Sequence, residues 1–315
     1  MRIAVALATY NGARFIEEQL DSILQQTIKP DEVLISDDGS SDNTVEIVKE
    51  YIKIHNLEKK WILHQNEINK GYAKNFMDAA MMARGDIIFF CDQDDIWIED
   101  RIEIMSHVMQ DRTDISLLCT NLVPFYYEDN TKKWDKKILE EMKTDRSIEY
   151  HELTVMDIHL RRAGGCSMCI RKSFLESIMP FWIEGWAHDD FVWNMAVVAC
   201  SCAVFHYTSL KRRMHANNTT VIRDRTREWR INQLKQYIVQ FNSLKRYAIQ
   251  CGLDNSKSSI IDKNLKSLYL RLKVIKNHRV LLWIPLALKY KDCYPRKIGL
   301  YLDLYLSLFN SYRGV

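Results

Sequence analysis

Short apolar runs alternate with helix-period segments through the first 120 residues. Ile3–Ala8, Val33–Ser36, Trp61–His64, Ile87–Cys91 and Ile115–Cys119 read as strands. Between them, residues 13–26, 42–55, 71–83 and 99–110 carry apolar side chains at spacings of three and four, as Phe15, Leu20, Ile23 and Leu24 do, with caps such as Ser41-Asp42. Strand and helix in alternation predict an α/β fold, with a mostly parallel sheet covered by helices on both faces. From 120 to 210 the pattern loosens: Gly164-Gly165 punctuates the chain before a strand-like Cys166–Ile170, a helix falls near 189–199, and Ala203–Thr208 reads as another strand. Two long helices come next, marked by Ile231, Leu234, Ile238, Phe241 and Ala248, then by Ile261, Leu265, Leu268, Leu272 and Ile275. The domain boundary is expected in the loop around 216–222, giving a sheet domain over 1–220 and a helical extension over 221–315.

Composition adds a charge asymmetry to this picture. The chain of 315 residues is 47% hydrophobic and 27% charged, which excludes disorder and a disulfide-stapled mini-protein. Its net charge of +3 conceals two unlike parts: residues 1–210 sum to −13 and residues 211–315 to +16. The basic part predicts an anionic surface as its partner. No recognisable nucleic-acid motif accompanies it, so nucleic acid is not expected. Arg279 to Lys289, with Trp283 at its centre and cations at both ends, reads as a short interfacial anchor, and Ile298–Phe309 as a second apolar stretch. A helical bundle burying these aromatics against one another, or against a second subunit in a homo-oligomer, accounts for them equally well.

No run reaches the roughly 18 apolar residues of a membrane span. The N-terminal apolar run is too short for a signal peptide, so the protein is expected to be soluble or to lie on a membrane. The cysteines sit mostly inside apolar runs, which fits reduced thiols in the cytosol; Cys166-x-x-Cys169 and Cys200-x-Cys202 lack the turn glycines of a zinc knuckle.

The candidate chemistry lies at the carboxyl ends of the predicted strands, where ligands of such sheets bind. Ala8-Thr9-Tyr10-Asn11-Gly12 follows the first strand, Ser36-Asp37-Asp38-Gly39-Ser40 the second, and Cys91-Asp92-Gln93-Asp94-Asp95 the fourth. Converging loops would gather five carboxylates, a conflict that a divalent cation relieves; hard oxygen donors spaced as D-x-D suit Mg2+ or Mn2+. Asp37-Asp38-Gly39 reads equally as a plain turn with Asp42 capping the next helix. The glycine-rich dinucleotide fingerprint and the phosphate loop ending in Gly-Lys-Ser/Thr are both absent.

The ordered set A-T-Y-N-G, S-D-D-G-S-S-D-N-T, N-K-G-Y-A-K-N-F and F-F-C-D-Q-D-D-I-W resembles the N-terminal half of family 2 glycosyltransferases of the GT-A fold, over roughly residues 1–215. The variant D-Q-D-D-x-W, with G-C-S-M, an H-D pair and Arg-x-His-x-x-Asn, is most similar to bacterial polysaccharide rhamnosyltransferases. The resemblance implies that Thr9, Tyr10 and Asp38 hold the nucleotide, with Lys74 nearby. It implies that Asp92 serves ribose and metal, and that Asp94 and His215 are metal ligands. Arg213 could neutralise a phosphate. Asp189, with Asp190 beside it, matches the segment supplying the catalytic base, although adjacent Asp residues before a helix also serve as caps. His215 beside two Arg reads equally as a solvated surface residue.

The resemblance also implies an activity, that of a metal-dependent inverting transferase. Such an enzyme would move L-rhamnose from dTDP-rhamnose onto a polyprenyl-diphosphate-linked glycan at the cytoplasmic leaflet, as a peripheral protein. A UDP-hexose transferase of the same fold and a non-catalytic sugar-nucleotide-binding subunit are the alternatives.

Overall fold

A computed structural model describes residues 1–127, 133–155, 157–158, 163–215 and 225–312. The boundary expected around 216–222 lies outside them. The chain forms two compact units: Met1–His151, Arg162–Ala196 and Ser201–Asn218 make the first, and Glu152–Arg161, Val197–Cys200 and Thr219–Val315 the second.

The first unit opens with β1 (Ile3–Thr9), α1 (Ile16–Leu24), β2 (Glu32–Asp37), α2 (Thr44–Ile54), β3 (Trp61–Gln65), α3 (Tyr72–Met82) and β4 (Ile87–Cys91). Next come β5 (Ile96–Trp97), α4 (Arg101–Asp111), β6 (Leu117–Tyr126), α5 (Lys136–Glu140), β7 (Ile148–His151), β8 (Met168–Arg171), α6 (Lys172–Ile178), α7 (His188–Val198, its last two residues in the second unit) and β9 (Cys202–Met214). The strands form one sheet in the order β3-β2-β1-β4-β8-β6-β9-β5, with β7 on β9. Every residue of β1, β2 and β4 is buried, as strands covered on both faces require. Ile16, Leu20 and Ile23 of α1 and Val48 and Ile52 of α2 pack with Val5, Leu7 and Ile35 in the main core.

The parallel expectation holds for β3-β2-β1-β4. Beyond β4 the sheet is mixed: β8 runs antiparallel to both β4 and β6, and β6 is parallel to β9. Apolar runs report burial but not strand direction, which is why the reversal left no trace in the sequence pattern. β6 and β9 also run well past their predicted ends. Their distal halves carry Asn121, Lys211 and Arg212, so hydrophobicity stops before pairing does. Part of the strand expected at Cys166–Ile170 is instead a 3-10 turn, Gly165–Ser167.

The second unit contains α8 (Arg227–Gln250), α9 (Asn255–Lys276), α10 (Trp283–Lys289) and α11 (Ile298–Leu308). Thr226 caps α8 by accepting the Trp229 N–H, and Asp254 caps α9 by accepting the Lys257 N–H at 2.9 Å. Fully buried Asp303 of α11 accepts from Arg230 of α8 at 2.8 Å, from Arg271 of α9 at 2.7 Å and from the Tyr294 hydroxyl. Removing that carboxylate would leave two buried guanidinium groups uncompensated. Trp283, read from sequence as the centre of an interfacial anchor or as a buried aromatic of a bundle, is half-buried: its indole N–H donates to Leu300 O, and it packs on the cluster of Val274, Leu286, Tyr294 and Leu300. No helix among the described residues is long and apolar enough to cross a membrane.

Candidate active site

Parallel pairing sets Thr9 beside Asp37 and Leu7 beside Cys91, so the loops leaving β1, β2 and β4 start side by side. Gln93 clamps the first loop. Its Oε1 accepts from Thr9 Oγ1 at 2.7 Å and from the Tyr10 N–H at 2.8 Å, and its Nε2 donates to Tyr10 O. A Cβ on Gly12 would stand 2.4 Å from that Oε1 and would displace the Gln93 amide from its clamp. Thr9 is buried in this clamp, while the Tyr10 ring is exposed.

In the second loop Asp37 closes a turn on the Ser40 N–H and hydroxyl. Asp38 is buried and accepts from the Lys70 N–H (2.8 Å), the Gly71 N–H (2.9 Å) and Asn66 Nδ2 (3.0 Å). Its carboxylate thus anchors the loop that opens α3. Lys74, in the first turn of α3, pairs with Asp78 at 3.0 Å and lies over the Trp182 ring.

The loop after β4 holds the concentrated charge. Burial, then Asp95 and Asp94, push the Asp92 carboxyl well above the usual carboxylate range; Asp189 adds to this and Arg212 opposes it. Burial and Asp94 push Asp95 up to about 7, against the Cys166 thiol, the Arg213 N–H and the Arg212 charge. Asp95 Oδ1 accepts the Arg213 N–H, and Oδ2 is buried without a hydrogen bond of ordinary geometry among the described residues. Asp94 Oδ2 instead lies 2.8 Å from His215 Nε2.

Ligand atoms of Asp92, Asp95 and Cys166 come within 4.8 Å of one another. As a complete ligand set these three suit a hard cation poorly: Asp95 is half engaged by the backbone, and burial together with Asp95 and Asp92 holds the Cys166 proton firmly on sulfur. Among the described residues the expected set of Asp92, Asp94 and His215 does not close to that distance; Asp94 meets His215 directly instead. Three crowded carboxylates and the orphaned Asp95 oxygen mark a place where a divalent charge relieves a real conflict, so the residues present fit such an ion.

Two arginines take opposite places. Arg213 is buried: Nε donates to Asp94 O, Nη2 to Glu18, and the guanidinium lies over the Phe15 and Phe125 rings at 4.6 and 4.5 Å. The guanidinium expected to meet phosphate is here engaged by Asp94 O, Glu18 and the two rings. Arg212 is the half-buried cation whose charge reaches the cluster; burial opposes its protonation, but Cys166, Asp92, Asp95 and Asp94 more than offset that. Successive strand residues face opposite ways, and that alternation along β9 was the available signal.

Asp189 and Asp190 open α7. Asp189 is half-buried and accepts the Asp190 N–H at 2.8 Å; Asp190 is exposed. The preceding His188 is buried and stacks on Phe76 at 4.0 Å. A Cβ on Gly165 would stand 2.8 Å from His188 Nε2 and 3.1 Å from Asp189 Oδ2, so this glycine lets the helix start approach the 3-10 turn. Buried Arg101 holds the same turn, donating to Cys166 O at 2.7 Å and to Ser209 Oγ while lying over the Trp97 ring. Gln93, Arg101, Cys166, Gly165 and Arg212 were given no role at this site from sequence; Gly165 read as punctuation and Cys166 as half of a rejected zinc pair. Gln93 and Cys166 stood inside the motifs as spacers, and nothing in the pattern marked Arg101.

The family model described as "Glycosyl transferase family 2" matches residues 4–178. "Putative glycosyltransferase EpsH" of Bacillus subtilis is 35% identical over 43% of this chain but only 38% of its own length. "dTDP-rhamnosyl transferase RfbG" of Shigella flexneri is 29% identical over 67% of this chain and 72% of its own. "UDP-Glc:alpha-D-GlcNAc-diphosphoundecaprenol beta-1,3-glucosyltransferase WfgD" of Escherichia coli is 30% identical over 48% of this chain and 54% of its own. In fold the chain is similar to S. aureus TarS 1–349, solved with UDP-GlcNAc, at a TM-score of 0.63 and 17% identity over 98% of this chain and 87% of that one. With its sheet, its acidic strand-end loops and a family match over more than half its length, the chain belongs to glycosyl transferase family 2.

Proposed function

We propose that this chain transfers a hexosyl group, with inversion, from a UDP-hexose to a polyprenyl-diphosphate-linked glycan during polysaccharide synthesis. The observation that carries this reading is the cluster of Asp92, Asp94 and Asp95 at the end of β4, with Asp189 close enough to raise the Asp92 pKa. Asp92, Asp94 and His215 would hold Mg2+ or Mn2+, and the bound cation would offset the charge of the leaving diphosphate. The exposed Tyr10 ring offers a stacking face for the nucleotide base, on a loop held by Thr9 and Gln93. Asp38 and Lys74 act by shaping the start of α3 beside it, and Arg212 meets the phosphates. Asp189 takes the acceptor hydroxyl proton as the glycosidic bond forms, as inversion by a single carboxylate requires. Asp190, exposed and next in chain, supports the helix start. Reduced cysteines and the lack of a spanning helix among the described residues suit work at the cytoplasmic face of the membrane.

The UDP-hexose donor and the lipid-linked acceptor are favoured by the likeness to WfgD. A dTDP-rhamnose donor is the second reading, favoured by the longer match to RfbG. The purified full chain should be given UDP-glucose, UDP-galactose, UDP-N-acetylglucosamine, GDP-mannose and dTDP-rhamnose in turn, with diphosphoundecaprenol-linked N-acetylglucosamine and Mn2+ or a chelator. Release of UDP only with metal, and a product anomer opposite to the donor's by NMR, are expected. Turnover of dTDP-rhamnose alone selects the second reading. A retained anomer or full activity in chelator overturns the mechanism, and binding without turnover of any donor favours a non-catalytic subunit.

A further inference from the structure

Leu281, Ile284 and Leu288 share one face of the segment that leads into and through α10, and that face is open: Leu281 is 80% exposed and Leu288 73%. The opposite face buries Leu286 completely. On α11, Tyr301, Tyr305 and Leu308 fall at spacings of four and three on an exposed face, while Leu302, Asp303 and Leu306 point inward. Trp283 joins the two faces: its indole N–H reaches Leu300 O at 3.0 Å and its ring centroid lies 6.3 Å from that of Tyr301. Here the structure departs from the sequence pattern, because the tryptophan is the seam and the leucines around it are the open surface.

The charge around this surface is predominantly positive; the nearby Asp262, which lines a cavity with Lys289, is paired with Lys245. Arg279, Lys289, Lys291, Arg296 and Lys297 are exposed, whereas the stretch from 273 to 310 holds two acids. Asp292 is held by Lys263 and Asp303 is buried between two arginines. Both carboxylates are thus already paired with cations of this chain.

We propose that these faces of α10 and α11 form a single docking surface that seats shallowly in a bilayer rich in anionic lipid, the apolar side chains entering the acyl boundary and the cations meeting headgroup phosphates. Charge decides between occupants. A second copy placed face to face would bring its own lysines and arginines against these, and protein interface cores are depleted in lysine. A lipid leaflet supplies the missing negative charge together with an apolar phase at the same depth. The proposal deepens the lipid-linked-acceptor reading and rests on it for its purpose, but its physical content, membrane binding, can be tested without any sugar donor.

The test is co-sedimentation of the full chain with phosphatidylcholine vesicles, with and without about a third phosphatidylglycerol. It compares wild type, the combined variant Leu281→Ser, Ile284→Ser, Leu288→Ser, and the charge variant Lys289→Glu, Lys297→Glu. Wild type should bind the anionic vesicles only, more weakly as salt shortens the Debye length. Both variants should lose about tenfold or more in partitioning while keeping wild-type donor hydrolysis and circular dichroism. Equal binding by the serine variant, or equal binding to neutral vesicles, overturns the proposal. So does a wild-type chain that ignores vesicles but sediments as a dimer the serine variant dissolves, which assigns the surface to a second copy. A chain that binds vesicles as expected and transfers no sugar refutes the transferase reading alone.

Discussion

Asp94 and His215, 121 residues apart in the chain, meet with Asp94 Oδ2 2.8 Å from His215 Nε2. The contact ties the loop after β4 to the residue following β9, and it is made possible by β5, whose Ile96 and Trp97 pair with Lys211 and Leu210 of β9. Phe15 closes over the imidazole with ring centroids 4.9 Å apart. Both groups are ligands in the proposed divalent-cation site, where a bound cation would take the place of their direct contact.

Asp94→Ala and His215→Ala should therefore each weaken nucleotide binding in Mn2+ by roughly tenfold or more, and leave the affinity in chelator unchanged. Titration calorimetry with UDP in both conditions separates the two terms. Unchanged Mn2+-dependent affinity in either variant removes that residue from the ligand set.

Asp189→Asn should leave UDP and Mn2+ affinity near wild type while turnover falls by about 10²–10⁴, the usual cost of losing a general base. Asp190→Asn should be mild, since that side chain is exposed while Asp189 faces Gly165 and influences Asp92. A dead Asp190→Asn beside an active Asp189→Asn would reverse the assignment.

Gly165→Ala probes how the base is held. The added methyl would sit 2.8 Å from His188 Nε2 and 3.1 Å from Asp189 Oδ2, against a histidine already stacked on Phe76, so the start of α7 that carries Asp189 must shift slightly. Turnover on acceptor should fall several-fold with KM for donor little changed, because even a small displacement is costly at a reacting centre. Donor KM rising in step with the loss in turnover would point to collapse of the β4 loop instead.

The sequence made the parallel half of the sheet legible because β1, β2 and β4 are unbroken apolar runs ending in polar loops, and it placed the carboxylates because those loops carry little else. Two kinds of feature escaped it. Direction and length of β6, β8 and β9 depend on pairing between distant segments, and β9 continues through Lys211, Arg212 and Arg213 after its apolar signal ends. The ties that shape the site are the other kind: Gln93 to Thr9, Arg101 to Cys166 O and Asp38 to the backbone of Lys70 and Gly71 join residues 32 or more positions apart through single polar contacts, which leave no periodicity. In the second unit, α8 and α9 were plain from their repeat, but the Asp303 link between Arg230 and Arg271 was not.

Neighbours in one strand, Arg212 and Arg213 should fail in opposite ways. Arg213→Met deletes donors to Asp94 O and Glu18 and the cation over Phe15 and Phe125. Glu18 is half exposed and can rehydrate, so the loss is chiefly one buried carbonyl partner and the packing, about 1–3 kcal/mol of stability. Arg212→Met removes no such packing, and its melting temperature should stay near wild type. Without that cation the carboxyl of Asp92 rises further, since Arg212 is the charge opposing Asp95 and Asp94 there. A diphosphate would also lose a charge-assisted partner, so UDP affinity should drop by about 10–100-fold, the equivalent of about 1.5–3 kcal/mol. Thermal melts and UDP titrations of both variants decide the matter. If Arg213→Met melts like wild type yet loses UDP, while Arg212→Met binds normally, the phosphate contact belongs to Arg213, and the buried guanidinium must leave its aromatic seat when nucleotide arrives.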